Sequence, residues 1–243
     1  MNGFNQSPFA NIPPVVKNLL IINIIFFIGT YALGKAGIDL YDWMAGYYFN
    51  SPQFHPWSII TYMFLHAGMD HPEHIFFNMF ALFSFGPILE YGMGSKKFFN
   101  MYFLCGIGGI VCHQFVQAYE VHAITGAITI DHPGLISSFE QYGALGQKLY
   151  NIYHGPVVGA SGAIFGLLVA FGMMYPNLEL MILFIPVPIK AKYIIPVYIV
   201  VELFLGYKQY SWDSVAHFAH LGGALIGFIL VKAWRLQHTD NFY

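Results

Sequence analysis

The sequence has very little charge. Asp, Glu, Lys and Arg together make up 9% of its 243 residues, whereas a typical soluble domain carries about 25%. Hydrophobic residues make up 57%, and the mean hydropathy is +0.56. Water could not solvate a surface with so few charged groups. This composition excludes an ordinary soluble domain and predicts an integral membrane protein.

The net charge is small, there are few cysteines, and repetitive sequence is absent. The net charge of −2 argues against a nucleic-acid-binding protein. The two cysteines, Cys105 and Cys112, both fall in one apolar run, which argues against a disulfide framework or a cysteine metal site. The chain shows no internal repeat and no low-complexity run. Histidine is abundant by contrast, with eleven residues, and is the residue type to follow for chemistry.

Six apolar segments fit the length of a membrane-spanning helix, which needs about 20 residues. They are residues 15–33, 74–91, 98–116, 157–175, 193–207 and 215–236. We therefore expect an all-α membrane protein built as a six-helix transmembrane bundle. Residues 15–236 would form the membrane domain, with short cytoplasmic segments at 1–14 and 237–243. The apolar segment 178–188 contains Pro186 and Pro188, so we expect it to break and lie at the membrane interface.

The distribution of lysine and arginine predicts the orientation, because cytoplasmic loops carry an excess of these residues. Six helices place both termini on one side of the membrane. The terminus side holds seven of the cations: Lys17, Lys96, Lys97, Lys190, Lys192, Lys232 and Arg235. The opposite side holds three: Lys35, Lys148 and Lys208. The termini are therefore predicted to be cytoplasmic.

Two of the predicted outer loops are long. Loop 34–73 is rich in Trp and Tyr, which favour the membrane–water interface, so part of it is expected to lie there. Loop 117–156 is more polar. Its residues 137–151 are predicted to form a short helix, with Ser137 or Ser138 as the N-cap.

Four polar residues fall at one depth near the outer face. At about 1.5 Å per residue, Ser161 would lie about 6 Å and His220 about 7–8 Å below the outer ends of their helices. His74 opens the second helix, and Asn78 follows at i+4 on the same face. Each residue alone has a plain reading, since a serine is common at helix contacts and a buried histidine can be merely structural. Their shared depth favours a site.

Small residues would let the fourth and sixth helices approach closely. The fourth segment carries Gly159, Gly162 and Gly166, and the sixth carries Ala219, Gly223 and Gly227. Ser161 and His220 could then come within hydrogen-bonding distance, and a neutral imidazole can accept the proton of a serine nucleophile.

The oxyanion of a tetrahedral intermediate needs hydrogen-bond donors. His74, the Asn78 amide and the backbone N–H of Ser161 are the candidates. No Asp or Glu lies beside His220 in the sequence, so a dyad rather than a triad is predicted. Glu202 is expected to snorkel or to hydrogen-bond inside the bundle.

The motifs together resemble those of the rhomboid family of intramembrane serine proteases. They are GASG at 159–162 with a further glycine at 166, AHLGGALIG at 219–227, HIFFN at 74–78, FLH at 64–66 and LEYGMGSKKF at 89–98. The resemblance implies that Ser161 is the nucleophile, His220 the base, and His74, Asn78 and the Ser161 N–H the oxyanion site, with Gly159 shaping it.

The resemblance also implies membrane-anchored protein substrates, cleaved at or near the outer face. Trp57-Ser58 departs from the Trp-Arg pair that is frequent in the family. We expect the lipid bilayer and such substrates as partners, no nucleic acid, no cofactor and no metal. The expected location is a bacterial inner membrane, with the site opening to the extracytoplasmic side.

Two other functions fit part of the sequence. A catalytically inactive relative that binds membrane clients would be expected to have lost Ser161 or His220, and both are present. A histidine-ligated metal or haem protein would need histidines that converge on one centre. Five lie near the predicted outer face: His66, His71, His74, His217 and His220.

Overall fold

The structure is a computed structural model that describes residues 12–182, 185–208 and 215–236. Most of the two predicted terminal segments and of the loop after the fifth predicted helix lie outside these residues. The described chain folds into six long helices, several short ones and one hairpin. In chain order the elements are α1 (Pro14–Lys35), α2 (Tyr41–Met44), α3 (Ser58–Thr61), α4 (Pro72–Met93), α5 (Ser95–Thr125), α6 (Ser137–Glu140), α7 (Gly146–His154), α8 (Ser161–Met174), β1 (Glu179–Ile182), β2 (Ile185–Lys190), α9 (Ala191–Lys208) and α10 (His217–Ala233), with single 3₁₀ turns at Tyr62–Phe64 and Gly143–Leu145.

Each predicted long helix corresponds to an observed one. Within the described residues, α1, α4 and α5 are long and apolar enough to cross a membrane, and α8 and α10 are shorter apolar helices. A crossing by all six helices remains a prediction. The third helix was predicted to end at 116 but continues to Thr125, where Gly126 takes a left-handed conformation (φ 79°) and ends it.

The helices do break at the predicted segment 178–188, where the described residues form a β-hairpin. Strands β1 and β2 pair antiparallel, with Glu179 opposite Lys190, and an irregularity in the register follows Met181. The all-α expectation missed this hairpin. Proline cannot donate to a β-ladder, but it is tolerated on an edge strand, and in a two-stranded sheet both strands are edges.

Helix α10 packs between α5 and α8 at the centre of the bundle. A Cβ on Gly109 of α5 would lie 2.7 Å from the carbonyl oxygen of Ala219, and one on Gly222 would collide with Cys112. These helices therefore meet backbone against backbone. Without a hydrophobic driving force between helices in lipid, such close van der Waals contact is what holds them together.

The N-terminus of α1 is tied to the C-terminal end of α4 by one carboxylate. Glu90 is buried and accepts hydrogen bonds from the backbone N–H groups of Val15 and Val16 at 3.1 and 2.9 Å. The hydroxyl of Ser95 donates to the same carboxylate at 2.6 Å. The first N–H groups of a helix have no hydrogen-bond acceptor inside the helix. The Glu90 carboxylate is the acceptor for two of these groups in α1.

The segment between α5 and α8 forms a small layer with its own core. Phe139, Leu149 and Tyr153 pack there against Tyr48 of the first loop. Asn50 fixes the layer to that loop, because its Oδ1 accepts from the Ile130 N–H and the Tyr153 hydroxyl, each at 2.9 Å.

The helices of this layer differ from the single helix predicted at 137–151. Helix α6 ends at Glu140, and α7 begins at Gly146. The predicted serine cap is wrong. Ile136 occupies the N-cap position of α6, and the Ser138 hydroxyl donates to the carbonyl of His132 instead.

Candidate active site

Ser161 is the first residue of α8, and not one turn inside the helix as predicted. The chain before it is held extended by the first loop, since Val157 and Gly46 exchange backbone hydrogen bonds. The Gly159 N–H then donates to the carbonyl of Tyr62 at 3.0 Å. Gly159 has φ +118°, a conformation that favours glycine. It therefore belongs to the turn that presents Ser161, and not to a helix face.

His220 contacts Ser161 directly. Its Nε2 lies 2.7 Å from the serine Oγ, the length of a good hydrogen bond. The glycines of α8 and α10 make this possible. A Cβ on Gly223 would collide with the carbonyl oxygen of Gly162, and a Cβ on Gly227 would collide with the backbone of Gly166. The predicted close approach of these two helices is present in the structure.

An aromatic ring holds the imidazole of His220. Phe165 stacks on it with ring centroids 4.3 Å apart and an interplanar angle of 8°. Sequence reasoning did not assign a role to Phe165. The signal was available, because Phe165 stands four positions after Ser161 and therefore on the same face of α8. The stacking fixes the plane in which the ring presents its nitrogens.

His74 faces the serine from α4. A Cβ built on Gly159 would lie 3.0 Å from His74 Nε2 and 3.6 Å from Ser161 Oγ, so Gly159 leaves open the space between them. His74 Nδ1 accepts a hydrogen bond from the Ala67 N–H at 3.0 Å. In the neutral ring the proton must then be on Nε2. His74 consequently presents a donor toward the site.

The other predicted oxyanion donors are placed differently. The Asn78 amide donates to the backbone carbonyl of His74 at 2.7 Å, which leaves its second N–H for another acceptor. The backbone N–H of Ser161 belongs to the first turn of α8, where N–H groups have no acceptor within the helix. Of the three predicted donors, His74 Nε2–H is the one that a described contact orients toward the site.

His66 lies beside His74 with ring centroids 5.4 Å apart. Both of its ring nitrogens are buried and have no hydrogen-bond partner among the described residues. Burial lowers the pKa of His66 to about 3, and the neighbouring His74 acts in the same direction. His66 is therefore neutral at physiological pH and adds no charge to the site.

The prediction that no carboxylate accompanies His220 is wrong. Glu202 on α9 is buried, and its Oε2 lies 2.9 Å from His220 Nδ1 and 2.7 Å from His217 Nδ1. The depth of Glu202 in the membrane could be estimated from the sequence. Glu202 stands five residues before the predicted end of its helix at 207, or about 7.5 Å below the outer face, which is the depth of His220.

One group among the described residues could hold a metal ion. Glu202, His217 and His220 each offer one ligand atom, and these atoms lie within 4.8 Å of one another. A glutamate and two histidines are a ligand set that suits zinc. The same three groups, however, already satisfy one another by the hydrogen bonds described above.

Fold and site together define a helical membrane protein with a serine–histidine pair at the meeting point of its helices. A family model, the Rhomboid domain, matches residues 53–236. The chain belongs to the rhomboid family and is a multi-pass integral membrane protein.

Individual relatives agree with this assignment. Rhomboid protein 1, mitochondrial, of Saccharomyces cerevisiae is 28% identical over 67% of this chain and 39% of its own length. A mitochondrial rhomboid protein of Schizosaccharomyces pombe is 24% identical over 96% of this chain and 67% of its own length. Rhomboid protease GluP of Bacillus subtilis is 28% identical over 76% of this chain and 27% of its own length. The chain thus spans about two fifths of the length of the Saccharomyces relative.

The comparisons do not support the predicted bacterial inner membrane. The two yeast relatives are mitochondrial, while the third comes from a bacterium. That prediction was based on the composition and the helix pattern. These features indicate that the protein lies in a lipid bilayer, but they do not indicate which organism or organelle the membrane belongs to.

Proposed function

We propose that the protein is an intramembrane serine endopeptidase. The observation that carries this function is the 2.7 Å contact between Ser161 Oγ and His220 Nε2. Similarity to proteins named as rhomboid proteases supports it. An inactive client-binding relative would have no need of a serine hydroxyl aimed at an imidazole, so the contact favours the enzyme.

The reaction follows from the geometry. Ser161 Oγ attacks the carbonyl carbon of the scissile peptide while its proton passes to His220 Nε2. The tetrahedral intermediate then breaks its C–N bond, and the imidazolium gives the proton to the departing amine. Water, deprotonated by the same histidine, attacks the acyl-enzyme ester, and Ser161 recovers its proton as the peptide acid leaves.

The intermediate carries its negative charge on the former carbonyl oxygen. We place this oxygen between His74 Nε2–H and the backbone N–H of Ser161, with the Asn78 amide as a further donor. A preorganised donor of this kind is worth about 10²–10³ in rate. The positive φ of Gly159 supports the assignment, because the turn leaves this space open beside the nucleophile.

The substrate class is membrane-anchored proteins, cleaved near the outer end of the bundle. The excess of lysine and arginine on the terminus side supports cytoplasmic termini, which would place Ser161 near the opposite face. The many large apolar side chains exposed on the outer surface of the helices, such as Ile25 and Val200, support a lipid surround from which such a substrate would enter.

The test uses purified protein in lipid vesicles with a fusion substrate that carries a single membrane span. We expect the native chain to cut the fusion in or beside its span, and Ser161→Ala, with the same fold, to leave it whole. Cleavage by both proteins alike would trace the activity to a contaminating protease and overturn the proposal.

Activity should fall on acidification. Protonated His220 cannot accept the proton of Ser161, so acid that protonates this base should stop the attack. The rate should therefore be highest with the imidazole neutral and be lost on acidification, with the fold intact. Among the residues that the structure describes, the charged or titratable groups that face His220 are Glu202, His217, His74 and His113. A rate that stays flat from neutral to mildly acid pH in folded protein, measured on vesicles, would contradict the role of His220.

A further inference from the structure

A buried carboxylate stands behind the base. Glu202 is 8% exposed, and both of the hydrogen bonds that it accepts through Oε2 come from imidazole Nδ1 atoms, those of His217 and His220. A buried ionised carboxylate is costly unless it is hydrogen-bonded. Two N–H donors on one oxygen supply that compensation, so the ionised form with both histidines neutral is the arrangement that the geometry favours.

These bonds set the tautomer of His220. A carboxylate only accepts, so the proton of the neutral imidazole must be on Nδ1. Nε2 is then left with its lone pair, and this is the nitrogen that lies 2.7 Å from Ser161 Oγ. The opposite tautomer would present an N–H to the serine hydroxyl and could not accept its proton.

We propose that Glu202 is a positioning residue that acts through His220 and completes a Ser161–His220–Glu202 triad. It holds His220 in the tautomer that accepts a proton, and its charge stabilises the imidazolium that forms when Ser161 attacks. His217 braces the carboxylate from its other side. Helix α9 contributes in this way to a site whose other members lie on α4, α8 and α10. The inference rests on the proposed protease function.

The variant that tests the proposal is Glu202→Gln, which keeps the size of the side chain and removes its charge. The amide can turn its NH₂ group toward Nδ1 and stabilise the wrong tautomer. We expect kcat to fall by at least about 10-fold, toward the roughly 10⁴-fold loss that the same kind of change causes in a serine protease triad. KM should stay close to the native value, because no substrate contact is lost.

The matched control is Glu140→Gln, at an exposed glutamate of α6, which should keep the native rate. A Glu202→Gln protein that is folded and cleaves at the native rate would overturn the inference and leave the protease function standing. If native protein fails to cleave, the function itself fails, and the inference fails with it.

Nitrogen NMR of isotopically labelled histidine gives a readout that does not depend on activity. In native protein at neutral pH the His220 resonances, identified by their loss in His220→Ala, should report a proton on Nδ1 and none on Nε2. A proton on Nε2 would overturn the proposal. So would a metal ion found at one per chain whose removal by a chelator abolishes activity, because the ion would then hold His220 in place of the hydrogen bond.

Discussion

Gly223→Leu is expected to abolish proteolysis while the protein remains in the membrane. A Cβ at this position would collide with the carbonyl oxygen of Gly162 and come close to the Cys105 carbonyl, both of which are backbone atoms that cannot rotate away. The side chain would therefore push α10 off α8 and carry His220 away from Ser161. A misplacement of about 1 Å at a catalytic group can cost about 100-fold, and a leucine demands more than that.

The matched control is Gly29→Leu in α1. A Cβ there meets nothing within 4 Å, so the same substitution in another apolar helix should keep most of the activity. Rates of fusion cleavage in vesicles compare the two variants at equal amounts of protein. Native activity in Gly223→Leu would refute the close contact of α8 and α10 as the basis of the site.

His220→Ala is expected to reduce the cleavage rate by more than about 10³-fold. The change removes the proton acceptor of Ser161, and in serine proteases the nucleophile and its base act as a unit whose loss costs about 10⁶ in kcat. It also removes one of the two N–H donors to Glu202 and the ring on which Phe165 stacks. Some loss of stability should therefore accompany the loss of activity, and the melting temperature should be measured alongside the rate.

The control for this variant is His122→Ala. His122 is exposed in the last turn of α5, so its removal should change neither the rate nor the melting temperature. A His220→Ala protein that melts like the native chain and retains a tenth or more of its activity would show that another group accepts the serine proton.

The sequence predicted the serine–histidine pair because two independent patterns coincide there. Hydropathy placed Ser161 and His220 at one depth, and the spacing of glycines indicated that their helices touch. Both patterns are local, so they survive an error in the helix bounds. Helix α8 begins at Ser161, four residues later than predicted, because Val157 pairs with Gly46 instead of joining the helix. Gly46 lies in a loop more than a hundred residues away, so local sequence patterns do not reveal this pairing.

The contact between Glu202 and His220 was not predicted from the sequence. Depth alone would have matched it to His220, but depth cannot tell which of several helices is adjacent or which way a side chain faces. No carboxylate stands beside His220 in the sequence, and Glu202 comes from another helix, 18 residues away. The hairpin β1–β2 was missed for a different reason. A short apolar run with two prolines indicates a break in a helix, and only the pairing of its two halves makes it a sheet.

The central claim is that Ser161 is an activated nucleophile. The measurement that tests it most directly is reaction of the purified protein with a fluorophosphonate probe, followed by mass spectrometry to locate the adduct. We predict one adduct per chain on Ser161, with none on Ser161→Ala and greatly slowed labelling of His220→Ala. A well-folded native protein that stays unlabelled, or that carries the adduct on another residue, would contradict the claim.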